Sequence, residues 1–141
     1  MKIRQAISSD EISACVMLRK AVFMAEQNVS LEEEIDGRDS EAIHFLGGAI
    51  TAPQCVARVR LIDKTAKIER VCVALKRRRT GLGTALMQHI HLALACDPKV
   101  ERFKLEAQTQ ALKFYEKLGY VVEGDEFQDA GIAHFMMTRS A

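Results

Sequence analysis

The stretch KIERVCVALKRRRTGLGT, Lys67–Thr84, decides how the rest of the chain is read. Its first seven residues, Lys67–Val73, begin in alternation and end continuously apolar, the pattern of a strand entering the interior of a sheet. Beyond the glycines Gly81 and Gly83, the residues Leu82, Ala85, Leu86, Ile90, Ala93 and Leu94 recur at helical spacing and predict a helix over 80–95. Phe103–Gln108 then reads as another strand. Strand, helix and strand in that order predict a parallel pair joined by a crossover helix.

The flanks extend the same architecture. Upstream, Lys2–Ile7 reads as a short strand, and Ser8, Ser9 and Asp10 offer capping oxygens to a helix carrying Ile12, Cys15, Leu18 and Val22 on one face. An acidic, irregular stretch runs from Glu26 to Glu41. It is followed by strands at Ile43–Ile50 and Gln54–Asp63, with Pro53 at their turn. In the second of these, Cys55, Ala57, Val59 and Leu61 make one face apolar, while Val56, Arg58, Arg60 and Ile62 make the other mixed. Downstream, a helix over Thr109–Leu118 stops at Gly119. Strands at Tyr120–Glu123 and Ile132–Thr138 flank a polar turn around Gly124–Gly131. The expected fold is α/β: a mixed central sheet of about seven strands with helices on both faces.

Composition bounds the function. With 141 residues the chain fits one domain, 1–141. It is 48% hydrophobic with a net charge of +1, which excludes disorder as its main state. That charge argues against a nucleic-acid or membrane-surface partner, and the lack of Trp argues against a base-stacking platform. The N-terminal sequence has no signal-peptide pattern and no stretch approaches a membrane span, so a cytoplasmic location is expected. Cys15, Cys55, Cys72 and Cys96 form no CxxC and are expected to be reduced and buried. His89, His91 and His134 lack ligand spacing, and no metal site is expected.

The chemistry concentrates in the loop before the crossover helix. Glycines there let a ligand approach the backbone, the first-turn amides point outward, and the neighbouring arginines add charge-assisted bonds. The loop matches neither GxxxxGK[ST] nor GxGxxG with a downstream acid, which leaves a phosphate cradle of another kind. A solvated basic turn or a nucleic-acid patch is the alternative reading of KRRRTGLG.

The motif Arg78-Arg79-Thr80-Gly81-Leu82-Gly83 resembles the Q/R-x-x-G-x-G/A signature of the GNAT N-acetyltransferase superfamily. Phe114-Tyr115-Glu116-Lys117-Leu118-Gly119-Tyr120 is similar to a second feature of that family. Val22-Phe23…Glu26-Gln27, Glu34-Ile35-Asp36-Gly37…Asp39, Ala42-Ile43-His44-Phe45 and Leu105-Glu106-Ala107-Gln108 resemble its ElaA-like branch. Two departures stand out: Thr80 follows Arg79 where the family favours a small residue, and Glu106 stands where the branch often has His.

The resemblance implies acetyl-CoA as acyl donor, bound through Arg78, Arg79, Thr80, Gly81, Leu82, Gly83 and Thr84. It also implies that the fourth and fifth strands splay, which frees backbone groups around Val71, Cys72 and Val73 for the thioester and the pantetheine arm. Transfer is expected to be direct, with Cys72 a packed thiol. Tyr115 is the family's general acid at the departing sulfur. Glu69 is a candidate base, on a face shared by parity with Lys67 and Val71. Glu26, Gln27, His44 and Gln108 are candidate residues of the acceptor pocket. The acidic stretch Glu32-Glu33-Glu34…Asp36…Asp39 reads either as a solvated loop or as an attractor of cationic amines. The expected partner is a small-molecule or protein amine, and the family's habit leaves a homodimer open. A catalytically silent acyl-CoA-binding module is the competing reading.

Overall fold

β1 (Ile3–Ala6) leads into α1 (Ser9–Arg19) in the computed structural model, which describes residues 2–141. The predicted serine cap is made by Ser8: its hydroxyl accepts from the Glu11 amide at 3.2 Å, while the Glu11 carboxylate returns to the Ser8 amide. α1 then widens into a π-helical turn over Lys20–Glu26, in which the Gln27 amide reaches back five residues to the Val22 carbonyl. Such widened turns shift side chains out of helical register and recur at functional sites. A short helix α2 (Leu31–Glu34) carries its own capping box from Ser30 and Glu33.

The strands β2 (Ile43–Ala49), β3 (Ala52–Ile62) and β4 (Thr65–Val73) form a meander. α3 (Leu82–Ala95) crosses over to β5 (Arg102–Gln108), and α4 (Leu112–Lys117) leads to the hairpin of β6 (Val121–Asp129) and β7 (Ile132–Ser140). The sheet order is β1-β2-β3-β4-β5-β7-β6, and among the described residues only β4 and β5 run parallel. Alternation along β3 sorts the two cores as its residues predict. Cys55, Ala57 and Val59 pack with Leu86, Met87 and Ile90 of α3, while Val56 packs with Cys15, Leu18 and Val22 beneath α1. Helices therefore cover both faces of a mixed α/β sheet, as expected. Among the described residues no helix is long and apolar enough to cross a membrane.

Two irregularities shape the site. The β4–β5 register runs from Thr65↔Arg102 to Ile68↔Leu105 and stops, so the upper half of β4 has no strand beside it on that edge. Between Glu69↔Arg58 and Cys72↔Val56, β4 holds one residue more than β3, and Arg70 takes the left-handed conformation at φ 53°. This bulge resets the parity. Val71 and Val73 join Ile68 on the α3 side, whereas Cys72 joins the α1 side. Glu69 therefore does not share a face with Val71, as simple alternation had predicted.

Other expectations are also corrected. The polar segment Gly124–Gly131 is not a long turn. β6 runs through it to Asp129, and the reversal is confined to Ala130 and Gly131. Cys15, Cys55 and Cys72 are buried, but Cys96 is exposed at the end of α3. The acidic stretch is solvated only in part: Glu32 and Glu33 are exposed, but Glu34 is 1% exposed and ion-paired.

Candidate active site

α1 and α2 close their N-termini with serine capping boxes, whereas α3 has no side-chain cap. Its N-cap is Gly81 at φ 85°, a conformation that side chains resist, and the first amide bonded within the helix is that of Ala85, to the Gly81 carbonyl. The amides of Leu82, Gly83 and Thr84 precede that bond and are left for an external acceptor at the positive end of the helix dipole. At Gly83 a Cβ would lie 3.3 Å from the ring of Phe114, so the helix start sits tight against α4.

This helix end borders a cavity of about 670 Å³. It is lined by Gly81, Gly83 and Thr84, by Val71, Cys72 and Val73 of the unpaired half of β4, and by Phe114 and Tyr115 of α4. A second cavity of about 470 Å³ adjoins it beneath α2 and the β6–β7 turn. Phe23 and Gln27 from the π-helical turn, Glu69 and Gln108 line both. The site is thus a two-chambered cleft in the splay of β4 and β5.

Within the loop, the arginines differ. Arg78 donates to the Val73 carbonyl at 3.0 Å and pairs with both carboxylate oxygens of Glu26, at 2.6 and 2.8 Å. Arg79, in the left-handed region at φ 61°, lines the cavity and is exposed. Thr80 is outside the lining and its hydroxyl donates to the Arg77 carbonyl at 2.5 Å, while the Leu82 side chain packs against the core and leaves only its amide for a ligand.

On the wall, burial pushes the Cys72 thiol far up, so it is no thiolate nucleophile. Tyr115 is buried with its ring edge-on to Phe114 and Tyr120. Burial pushes its phenol well above the ordinary range, which keeps the proton in place at any working pH.

The acceptor side departs furthest from expectation. His44 is buried and bonds the Asp39 carbonyl through Nε2 at 2.8 Å, outside both cavities. Glu26 is committed to Arg78 rather than to the acceptor chamber, and that guanidinium holds its carboxyl below the ordinary value. Glu69 does line both chambers, but Arg58 bonds it at 2.5 Å and Arg60 bonds its other oxygen. Burial raises its pKa, yet the two guanidiniums outweigh that and hold the carboxyl below its ordinary value. A carboxylate so neutralised is a poor base. Gln27 and Gln108 line both chambers and are joined by a 2.9 Å hydrogen bond.

Glu69 belongs to a wider lattice. Arg58, fully buried, also pairs with Asp36 at 2.8 Å and Asp39 at 3.0 Å. Arg19 pairs with Glu34 at 2.6 Å and with Asp39, and Arg70 at the bulge pairs with Glu34 at 2.9 Å. Guanidiniums of Arg19, Arg58, Arg60 and Arg70 thus balance carboxylates of Glu34, Asp36, Asp39 and Glu69, charge for charge. Four segments distant in sequence are clamped together beneath the acceptor chamber. Sequence reading also passed over Phe23, Phe114, Asp129 and His134 as lining residues. For His134, the available signal was its strand register opposite Gln108.

An uncapped glycine-flanked helix start facing a cleft between splayed strands is the architecture of acyl-CoA-dependent acyltransferases. The family described as acetyltransferase (GNAT) domain matches residues 4–141, and the chain belongs to it. It is 39% identical over 140 residues to YjcF, an uncharacterized N-acetyltransferase of Bacillus subtilis (strain 168), covering 99% of each chain. Its fold superimposes on the crystal structure of Escherichia coli ElaA with a TM-score of 0.89 at 26% identity, covering 99% of each chain, which places it in the ElaA-like branch. A GNAT family acetyltransferase from Elizabethkingia anophelis, solved with acetyl-CoA bound, shares the fold at a TM-score of 0.75 and 15% identity over 99% of this chain and 97% of that one.

Proposed function

We propose that this acyltransferase moves the acetyl group of acetyl-CoA directly to a primary amine that is cationic in solution. The observation that carries the reading is the uncapped start of α3, whose free amides border the larger chamber beside Arg79. These residues fit a pyrophosphate: amides, a helix dipole and a guanidinium with no competing partner among the described residues. The coenzyme seen in the Elizabethkingia anophelis relative supports the same ligand here.

The unpaired edge of β4 at Val71 and Val73 then offers backbone groups to the pantetheine arm and the thioester carbonyl. A fixed N–H there stabilises the charge that gathers on the carbonyl oxygen as the amine attacks. Tyr115 holds the proton that the departing sulfur needs, and the inert Cys72 thiol favours transfer without a covalent enzyme intermediate. The second chamber receives the amine. Besides the charge-balanced lattice, its lining carries the acids Glu32, Glu33, Glu106 and Asp129 against the bases Arg38 and Lys67, so its field favours a cation.

The test is release of free thiol from acetyl-CoA with a panel of primary amines, repeated with Tyr115→Phe. The Phe variant should lose roughly 10²–10⁴ in kcat, the contribution of a positioned acid. KM for acetyl-CoA should hardly change, because the phenol acts only as charge develops on sulfur. Coenzyme binding without thiol release with any amine would instead make the chain a silent acyl-CoA-binding module.

A further inference from the structure

We propose that His134 is the general base that frees the acceptor amine, an assignment that rests on the transferase reading above. The attack must take place where the two chambers meet. The titratable groups lining both are Lys67, Glu69, Arg70, Glu106, Asp129 and His134. Lysine and arginine enter as cations and have no lone pair to offer. Glu69 is held by Arg58 and Arg60, and Glu106 lies 3.4 Å from the Lys67 ammonium. Asp129 is exposed at the hairpin turn, where water, more than the cleft, surrounds its carboxylate.

His134 differs from all of these. It is buried to 9% exposure on β7, opposite Gln108 in register and stacked on Phe127 at 5.9 Å. Its Nδ1 lies 2.6 Å from the Ile132 carbonyl, which can only accept, so Nδ1 carries the proton. Nε2 of the neutral ring is then an unprotonated acceptor. Imidazole is also the side chain whose basicity suits proton transfer near neutrality. A fixed tautomer, a fixed ring plane and a place at the junction of the chambers are what a base requires.

The protons balance. His134 Nε2 takes one proton from the entering ammonium and passes it to water. The neutral nitrogen then attacks the thioester carbon. As the C–N bond forms and the C–S bond breaks, Nε2 takes the second proton from nitrogen and Tyr115 supplies one to sulfur. Water returns the phenolate and the imidazolium to their starting states. The net reaction converts acetyl-CoA and an ammonium into an amide, free thiol and one released proton.

The experiment compares wild type with His134→Asn, whose carboxamide can still donate to the Ile132 carbonyl, using whichever alkylamine of the panel wild type acetylates fastest. At pH 7 the variant should lose roughly 10²–10⁴ in kcat/KM with acetyl-CoA affinity unchanged. At pH 10, where the amine loses its first proton unaided and the buried Tyr115 phenol keeps its own, the loss should shrink to the share that comes from removing the second proton. A full rate at pH 7, or a loss that is the same at both pH values, overturns the assignment. Absence of thiol release by wild type with every amine overturns the transferase reading and this one with it. The ¹⁵N shifts of wild-type His134 stand independent of any variant's folding: a ring protonated at Nε2 and bare at Nδ1 would also overturn it.

Discussion

The coenzyme chamber and the acceptor chamber share residues but are built on opposite principles. The ligand-binding groups of the first are mainly backbone, helix amides, a positive-φ glycine and a strand edge without a partner, contributed by contiguous sequence between Val71 and Thr84. The second is lined by side chains from the π-helical turn, the α2 loop, β3, β4, β5 and the β6–β7 hairpin, above an arginine–carboxylate lattice. Backbone chemistry tolerates change in most side chains, so one glycine motif can serve many acceptors. A lattice of paired charges is specific to its own partners.

The comparison can be broken most directly at Gly83. An Asp there places a Cβ 3.3 Å from Phe114 and a negative charge at the helix start. It should cost at least two charged hydrogen bonds, about 3–6 kcal/mol of acetyl-CoA binding or roughly 10²–10⁴ in Kd. Titration calorimetry on the folded variant checks this. Unchanged affinity would remove the backbone cradle.

The counterpart on the acceptor side is Arg58→Met, which leaves Asp36, Asp39 and Glu69 facing each other without their common cation. Removing one partner of a buried ion pair should lower unfolding stability by about 3–5 kcal/mol, as read from denaturant titration. The variant that remains folded should keep its acetyl-CoA affinity, because the cradle does not depend on the lattice. Loss of both together would show that the two chambers are not separable.

The same contrast explains what could be read in advance. The crossover unit, the order of elements along the chain and the glycine loop were legible because each depends on local pattern: alternation, helical period and a motif of adjacent residues. Gln27 and Gln108 followed from resemblance. His44 and Glu26 were misplaced because their fates depend on partners far along the chain, the Asp39 carbonyl and Arg78. The parity of Glu69 failed for a subtler reason: one extra residue at Arg70 shifts the upper half of β4 by a face, and nothing local in KIERVCV marks it. The acidic stretch looked solvated because its cations lie on other elements.

Arg79→Ala sharpens the comparison within the coenzyme chamber. Its guanidinium is the one expected to meet phosphate, since Arg78 is engaged by Glu26 and Val73. The variant should bind acetyl-CoA more weakly by about 1.5–3 kcal/mol, and acetyl-pantetheine, which lacks the pyrophosphate, with unchanged affinity. An equal loss for both ligands would place Arg79 in the fold instead of the phosphate site.

The smallest effect separates the two regions along the pH axis. His91, on α3, is buried between Arg139 and Tyr120. Arg139 can only donate, so Nδ1 accepts and Nε2–H donates to the Tyr120 hydroxyl at 2.7 Å. Burial, and then the Arg139 charge, lower the His91 pKa from 6.5 to about 4. The folded state therefore favours the neutral ring. Its contribution is fully present above pH 6.5 and is lost as the pH falls through that value toward 4, because the unfolded chain takes up the proton first. Between pH 7 and 5.5 this should cost about 1 kcal/mol of unfolding free energy. The lattice carboxylates stay ionised in that window, since Asp36, Asp39 and Glu69 are all held below their ordinary values. Their contribution is lost only in stronger acid. In His91→Gln, whose amide can keep both hydrogen bonds without titrating, stability should be flat from pH 7 to 5.5 and fall only below it. A variant that loses the same 1 kcal/mol as wild type in that window would move the titration from the core beneath α3 to another group.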